Sequence, residues 1–346
     1  MKLALDAMGG DNAPQINIDG AKLALQQVKG LEKLCLVGDE AALKPLCEKA
    51  GIAADARLEI VHAPEVVGMD ESGLLAVRKK KNSSMSIAVD LVKNGTCDAV
   101  LSAGNTGAAV AASTIKLRLL PGVERAGIIS PIPNTTGYTL VSDTGANPDA
   151  TPTQQVGYAV MASVVAKYLY DHPTPRVAVM SNGTEDCKGS ETSLATYALL
   201  HGLAEKGALP FEFAGNGEGH DLLESDINVF VTDGFTGNIL LKSVEATAKA
   251  ITHMIRDNVK KSPLAVLGAV LMKSVFRQLK NRMNADAVGG SPLMGVNGVS
   301  IIAHGSANGT AILNAVRMAE GMCRHNVNDR IVAAMETVNA ALHAQD

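Results

Sequence analysis

The residue types that bind or transfer small anions are concentrated in seven short segments: DAMGGDNAP (6–14), SAGNTGA (102–108), SDTGANPD (142–149), SNGTEDCKGS (181–190), GNGEG (215–219), TDGFTGN (232–238) and HGSANG (304–309). Glycine in such a segment lets the backbone approach a ligand or adopt a positive φ that a side chain would hinder. Asn, Ser and Thr at a helix start cap it and leave amide donors for an anion. In SAGNTGA, which follows Ala99 and Val100 and precedes a helical stretch from Ala108 to Ile115, this chemistry would be a cradle for phosphate or carboxylate. For any single loop, a tight turn and a helix cap explain the same residues. Seven together point to a ligand.

These loops need elements to hold them. Short strand-like runs (Leu3–Leu5, Lys33–Val37, Ala99–Leu101, Ala126–Ile129, Arg176–Met180, Asn228–Val231, Val299–Ile302) alternate with longer helical patterns. That alternation predicts a parallel α/β sheet. Ligands of open α/β sheets bind beyond the carboxyl ends of the strands, so the seven loops are expected to converge on one site. No repeat, low-complexity tract or Pro- or Ser-rich linker divides the chain, which reads as one continuous body over 1–346 with a possible subdivision near residue 150. A P-loop, a G-x-G-x-x-G fingerprint after the first strand and a G-x-S-x-G elbow are all missing. GNGEG is half a fingerprint at best, and Glu218 would place a negative charge where a pyrophosphate should lie.

Composition narrows the class. The 346 residues are 47% hydrophobic and 19% charged, enough for a large core, and the net charge of −4 gives no reason to expect nucleic acid as a partner. Five cysteines without a C-x-x-C pair suggest neither zinc nor a disulfide framework, and a reducing cytoplasm is the expected location. The N-terminus lacks the apolar region of a signal peptide. The longest apolar run near a candidate span, Leu264–Met272, has nine residues, against the roughly 20 a membrane helix needs.

Two basic stretches stand apart. Arg78-Lys79-Lys80-Lys81 is a cationic cluster that reads as a docking or steering patch, or as a solvated helix end complementing the dipole. Residues 258–285 hold six Lys or Arg and no acid, and Pro263 opens an expected helix through Met283. On a wheel, Leu264, Leu267, Leu271, Val275 and Leu279 share one face, with Lys273, Arg277 and Lys280 opposite. The 255–284 segment is thus expected to be a basic amphipathic element that meets a membrane surface or a partner, or else a dimer or core helix.

The order DAMGGDNAP, KKKNSSMSIA, SAGNTGA, DTGAN, SNGTEDCKG, GNGEG, DGFTGN and HGS, spread from residue 3 to about 320, resembles the bacterial phosphate acyltransferases of phospholipid synthesis. That resemblance implies a homodimer with a Rossmann-like parallel-sheet α/β/α sandwich, related to the phosphate acetyltransferase and isopropylmalate dehydrogenase folds. It implies formation of acyl-phosphate from acyl-[acyl carrier protein] and inorganic phosphate, the product passing to a membrane glycerol-3-phosphate acyltransferase. The sequence demands no metal and no dissociable cofactor. The expected location is the cytoplasm, with contact at the inner face of the cell membrane.

Joined to the resemblance, the loops take expected roles. Ser102, Asn105 and Thr106, with the backbone of Gly104 and Gly107, are the expected phosphate ligands. Lys188 is an expected charge partner for phosphate or the developing oxyanion, with Asn182 beside it, and His304 an expected acid or base, although a lone His is more often structural. Asn12, Asn147, Asn216 and Asn238 are further expected donors. Asp6, Asp11, Asp143, Glu185 and Asp233 would repel phosphate if ionised and close, so some are expected to orient donors instead. Arg78, Lys79 and Lys81 are expected to dock the acidic carrier protein, and Leu264, Leu267 and Leu271 to touch lipid. Cys187 stands where the family pattern varies, and a covalent route through it is the rival to direct attack. An enzyme using coenzyme A thioesters and a non-catalytic membrane scaffold that binds the carrier are the alternatives.

Overall fold

The apolar runs become strands buried on both faces, as parallel strands covered by helices must be. In β1 (Lys2–Asp6), Leu3, Ala4 and Leu5 are fully buried. The computed structural model describes residues 1–283 and 288–344. Its elements run β1, α1 (Gln15–Gln27), β2 (Lys33–Gly38), α2 (Glu40–Ala50), β3 (Leu58–His62), α3 (Gly73–Lys79), α4 (Ser84–Lys93), β4 (Ala99–Ser102) and α5 (Thr106–Leu117). There follow β5 (Gly127–Pro133), β6 (Tyr138–Ser142), α6 (Pro152–Leu169), β7 (Arg176–Met180), α7 (Glu191–Glu205), β8 (Glu212–Gly217), α8 (Asp221–Glu224) and β9 (Val229–Val231). The chain continues with α9 (Gly234–Val259), α10 (Pro263–Leu271), α11 (Lys273–Met283), β10 (Ser291–Met294), β11 (Val299–Ile302), α12 (Gly309–Arg324) and α13 (Val327–His343).

All strands join one 11-stranded sheet in the order β3-β2-β1-β4-β11-β10-β5-β6-β9-β7-β8. Helices α1, α6, α7, α12 and α13 supply the core on one face, with Gln155–Ala166 of α6 buried without interruption. On the other face α3, α4 and α5 cover the first half, and α8 and α9 cover β6, β7 and β9. The α/β/α sandwich is therefore the expected one.

Strand direction adds what the local pattern did not show. The strands β3, β2, β1, β4 and β11 are mutually parallel. β10 runs antiparallel to both β11 and β5, and β5 runs antiparallel to β6. β6, β9, β7 and β8 are again mutually parallel. The carboxyl ends of the two parallel sets consequently lie at opposite edges of the sheet. The β5–β6 hairpin makes the reversal: Asn134 N donates to Gly137 O at 3.0 Å, and the Asn134 carboxamide accepts from Thr136 N at 2.9 Å.

The helix expected from Pro263 through Met283 is two helices. Met272 sits at φ −87° and ψ 10°, and its N–H reaches both the Gly268 and Val270 carbonyls, tightening the last turn of α10 before α11 begins. The last residue of the expected 255–284 segment lies outside the described residues. No helix among the described residues is long and apolar enough to cross a membrane.

Candidate active site

The first cluster forms where Asp6, Ser102 and Ile302 stand level at the ends of three adjacent parallel strands. Ser102 Oγ donates to Asp6 Oδ2 at 2.7 Å and accepts from Gly104 N at 3.0 Å. Asp6 is buried, and burial pushes its carboxyl above the usual range against the opposing hydrogen bonds from Ser84, Ser102 and the amides of Met8 and Gly9. A Cβ on Gly9 would lie 2.7 Å from Gly104 N, so only glycine permits the two loops to meet.

Asn105 caps α5. Its Oδ1 accepts from Ala108 N at 3.0 Å, while Nδ2 faces the carbonyls of Gly68, Met69 and Glu71 at 3.2, 3.0 and 2.8 Å. The Ser102 and Asn105 side chains expected to bind phosphate are thus turned inward, held by Asp6 and by residues 68–71. Thr106 and Gly107 of the same turn are exposed. Their amides belong to the first helical turn, which has no acceptors of its own and carries the positive end of the dipole.

The HGSANG loop borders this turn. Asp11 N donates to Gly305 O at 2.8 Å, and Asp11 and Asn12 are exposed. His304 Nδ1 lies 2.9 Å from Ser306 Oγ, and its Nε2 lies 3.2 Å from Lys242 Nζ of α9. Lys242 also pairs with Glu245 at 3.1 Å. Ser306 N also donates to His304 Nδ1 at 3.2 Å, which makes Nδ1 an acceptor, and Nε2 faces the Lys242 ammonium. Lys242 was not singled out by sequence: it lies two turns into a helix, outside any glycine-rich loop.

The second cluster lies at the ends of β6 and β9. Asp143 is fully buried, and its two oxygens accept from the amides of Ile128, Gly145, Ala146 and Asn147 at 2.6–3.1 Å. Burial raises its carboxyl and those four bonds lower it. Asn147 donates to Ala126 O at 2.6 Å and Tyr158 Oη at 2.7 Å and accepts from Arg125 Nε at 2.6 Å. Asp233 caps α9 through Thr236 N at 2.8 Å. These three organise the backbone, whereas Asn238 is exposed beside Gly145.

The third cluster is the loop after β7. Asn216, buried at the end of β8, donates from Nδ2 to Glu185 O at 2.8 Å and faces Lys188 O at 3.4 Å. Asp186 accepts a hydrogen bond from Tyr197, and burial together with that carboxylate pushes the phenol up to about 12. Asn182, Glu185, Cys187 and Lys188 are exposed on the pinned loop.

The seven loops do not converge within one chain. β4 and β7 are separated by six strand spacings, about 29 Å at roughly 4.8 Å each, and end at opposite edges. Lys188 and Asn182 therefore stand well away from the turn at Thr106.

Residues 1–330 match the family model described as fatty acid synthesis protein. A phosphate acyltransferase of Akkermansia muciniphila is 58% identical over 97% of this chain and 96% of its own length. One of Pelotomaculum thermopropionicum is 40% identical over 98% of this chain and 96% of its own. The chain belongs to the phosphate acyltransferase family. It is an acyltransferase, and its architecture extends further than its sequence likeness. The EutD phosphotransacetylase of Staphylococcus aureus superposes with a TM-score of 0.58 at 16% identity, covering 93% of this chain and 94% of that one. A phosphotransacetylase of Streptococcus pyogenes gives 0.59 at 19% identity, covering 94% of each. At such identities the acyltransferase shares their fold.

Proposed function

We propose that this acyltransferase moves an acyl group from acyl-[acyl carrier protein] to inorganic phosphate, and that the acyl-phosphate feeds phospholipid synthesis through a membrane glycerol-3-phosphate acyltransferase. The observation that carries this reading is the start of α5, where Asn105 turns inward and Thr106 and Gly107 remain open to a dianion. A phosphate oxygen attacks the thioester carbonyl carbon, the tetrahedral oxyanion collapses, the C–S bond breaks, and the carrier thiolate leaves and takes a proton. Phosphate is already ionised near neutral pH, so attack needs no strong base. Lys242 and His304 beside the turn supply a cation and a proton carrier for the oxyanion and the leaving thiolate.

Lys188 keeps its proposed role at the phosphate only if a second copy of the chain brings it there, which accords with a homodimer. Arg78, Lys79 and Lys81 are exposed while Lys80 is paired with Glu71, leaving three cations for an acidic carrier. Leu264, Leu267 and Leu271 are 81%, 59% and 79% exposed on α10, which buries none of its residues, and this supports contact with the inner membrane face or with a second copy.

Purified protein given phosphate and matched carrier and coenzyme A thioesters is expected to release acyl-phosphate with preference for the carrier thioester. Faster turnover of the coenzyme A thioester would replace the donor, and absence of phosphate-dependent turnover would end the reading. With phosphate omitted, mass spectrometry is expected to show no acyl adduct on the exposed Cys187; stoichiometric acylation together with an inactive Cys187→Ser would establish the covalent route instead.

A further inference from the structure

The mechanism places a phosphate at the start of α5 but leaves the hydrocarbon unaccounted for. In direct attack the carbonyl carbon must lie within bonding reach of the phosphate, so the first carbons of the acyl chain lie within a few ångströms of Thr106 and Gly107. What borders that turn is therefore what the chain must cross. α3 abuts it directly: a Cβ on Gly73 would overlap the Gly107 carbonyl carbon and Ala108 N. The preceding loop is tied to it by the Asn105 carboxamide through the Gly68, Met69 and Glu71 carbonyls. On the HGSANG side, a Cβ on Gly305 would lie 2.7 Å from Met69 Cε.

This border is open and carries apolar side chains, with the exposed Asp70 and Ser72 between them. Val66, Met69, Leu74 and Leu75 are 38%, 42%, 44% and 53% exposed, whereas Ala76 and Val77 of α3 face the core. Most of the other exposed large apolar side chains among the described residues lie on α9, α10 and the start of α11. Farther along α3 the same outer face turns cationic, since Arg78 and Lys79 follow Leu75 at spacings of three and four residues. The apolar end of the helix thus adjoins the anion-binding turn, and the charged end points away from it.

We infer that Met69, Leu74 and Leu75 form the track along which the donor's acyl chain leaves the reaction centre, and that they set the preference for long chains. The inference rests on phosphate binding at α5. Its occupant is the hydrocarbon of the substrate, because a chain joined to a carbon at that turn meets these side chains first and removes them from water.

The test compares hexadecanoyl and butanoyl thioesters of one carrier protein, using the parent, Leu74→Ser/Leu75→Ser and, as a second variant at an independent position, Met69→Ser. The ratio of the butanoyl KM to the hexadecanoyl KM is expected to shrink about tenfold in the double variant, the equivalent of about two buried methylene groups. The phosphate KM is expected to hold. An unchanged ratio in both variants overturns the track. So does an equal rise of both KM values with weaker inhibition by unacylated carrier, which would assign the face to the carrier protein. A change of mass in light scattering would assign it to a second copy. A parent with no phosphate-dependent turnover of either thioester overturns the function proposed above and the track with it, whereas a parent that turns over but shows no variant effect overturns the track alone.

Discussion

Ser102 and Asn105 show that residue type identifies a site before it identifies a role. Both belong to the loop picked out by sequence, yet their polar atoms hold the loop together, and the exposed positions are Thr106 and Gly107. The distinction is measurable. Asn105→Ala strands three carbonyls and an amide and is expected to cost about 1–3 kcal/mol of stability as well as phosphate affinity. Thr106→Ala is expected to raise the phosphate KM about tenfold with no change in thermal unfolding, and normal phosphate kinetics in it would remove the anion from this turn. Asp6 makes a second prediction. Burial raises its carboxyl, so between the ordinary carboxylate value and its raised value the folded state binds more protons than the unfolded chain. Its contribution to stability is then fully present at acid pH and is lost as pH rises through the raised value. Chemical denaturation across that window is expected to show a shallower fall of stability with rising pH in Asp6→Asn than in the parent; identical profiles would mean that Asp6 does not titrate there.

At the scale of elements, most of the strands buried on both faces were legible because their apolar runs have no other use. The runs read at Leu3, Lys33, Ala99, Arg176 and Val299 all lie in strands. Four strands escaped: β3 and β8 sit at the sheet edges, where their residues are only partly buried, whereas β6 and β10 are buried interior strands whose apolar runs are short and broken by Thr139 and Ser142 or by Pro292. Direction was harder, since nothing within a strand tells which way its neighbour runs. The signal lay in the connection: Asn134-Thr135-Thr136-Gly137 is a short turn between two apolar runs, and a hairpin there reverses β6 and the strands β9, β7 and β8 that run parallel with it. The expected basic helix divides at Met272, which separates an apolar α10 from a cationic α11. That division sharpens the membrane proposal, because lipid burial then belongs to α10 and attraction to anionic headgroups to the residues after it. Vesicle sedimentation is expected to show salt-sensitive binding that Leu267→Glu weakens while turnover in solution persists. Insoluble or monomeric Leu267→Glu would make α10 an oligomer element, and an intact variant that binds vesicles as well as the parent would remove it from the membrane.

At the scale of the whole molecule, the two parallel halves of the sheet point their carboxyl ends to opposite edges, and this constrains how many chains one site requires. Thr106 follows β4 and Lys188 follows β7, about 29 Å apart across the strand order. If Lys188 neutralises the phosphate bound at Thr106, the lysine comes from the other chain of the proposed homodimer. Two-fold symmetry then makes the consequence countable. Thr106→Ala and Lys188→Ala dimers each carry one lesion at both sites and are expected to be weak. In a dimer with one chain of each kind, one site holds both lesions and the other holds neither. A randomly assembled equal mixture contains about half such dimers and is expected to recover about a quarter of the parent's turnover. If Lys188 serves a site within its own chain, each site in the mixed dimer carries one lesion, and coexpressed variants stay as weak as either alone. Full activity of Lys188→Ala by itself would remove the lysine from the reaction and leave Lys242 as the cation beside His304.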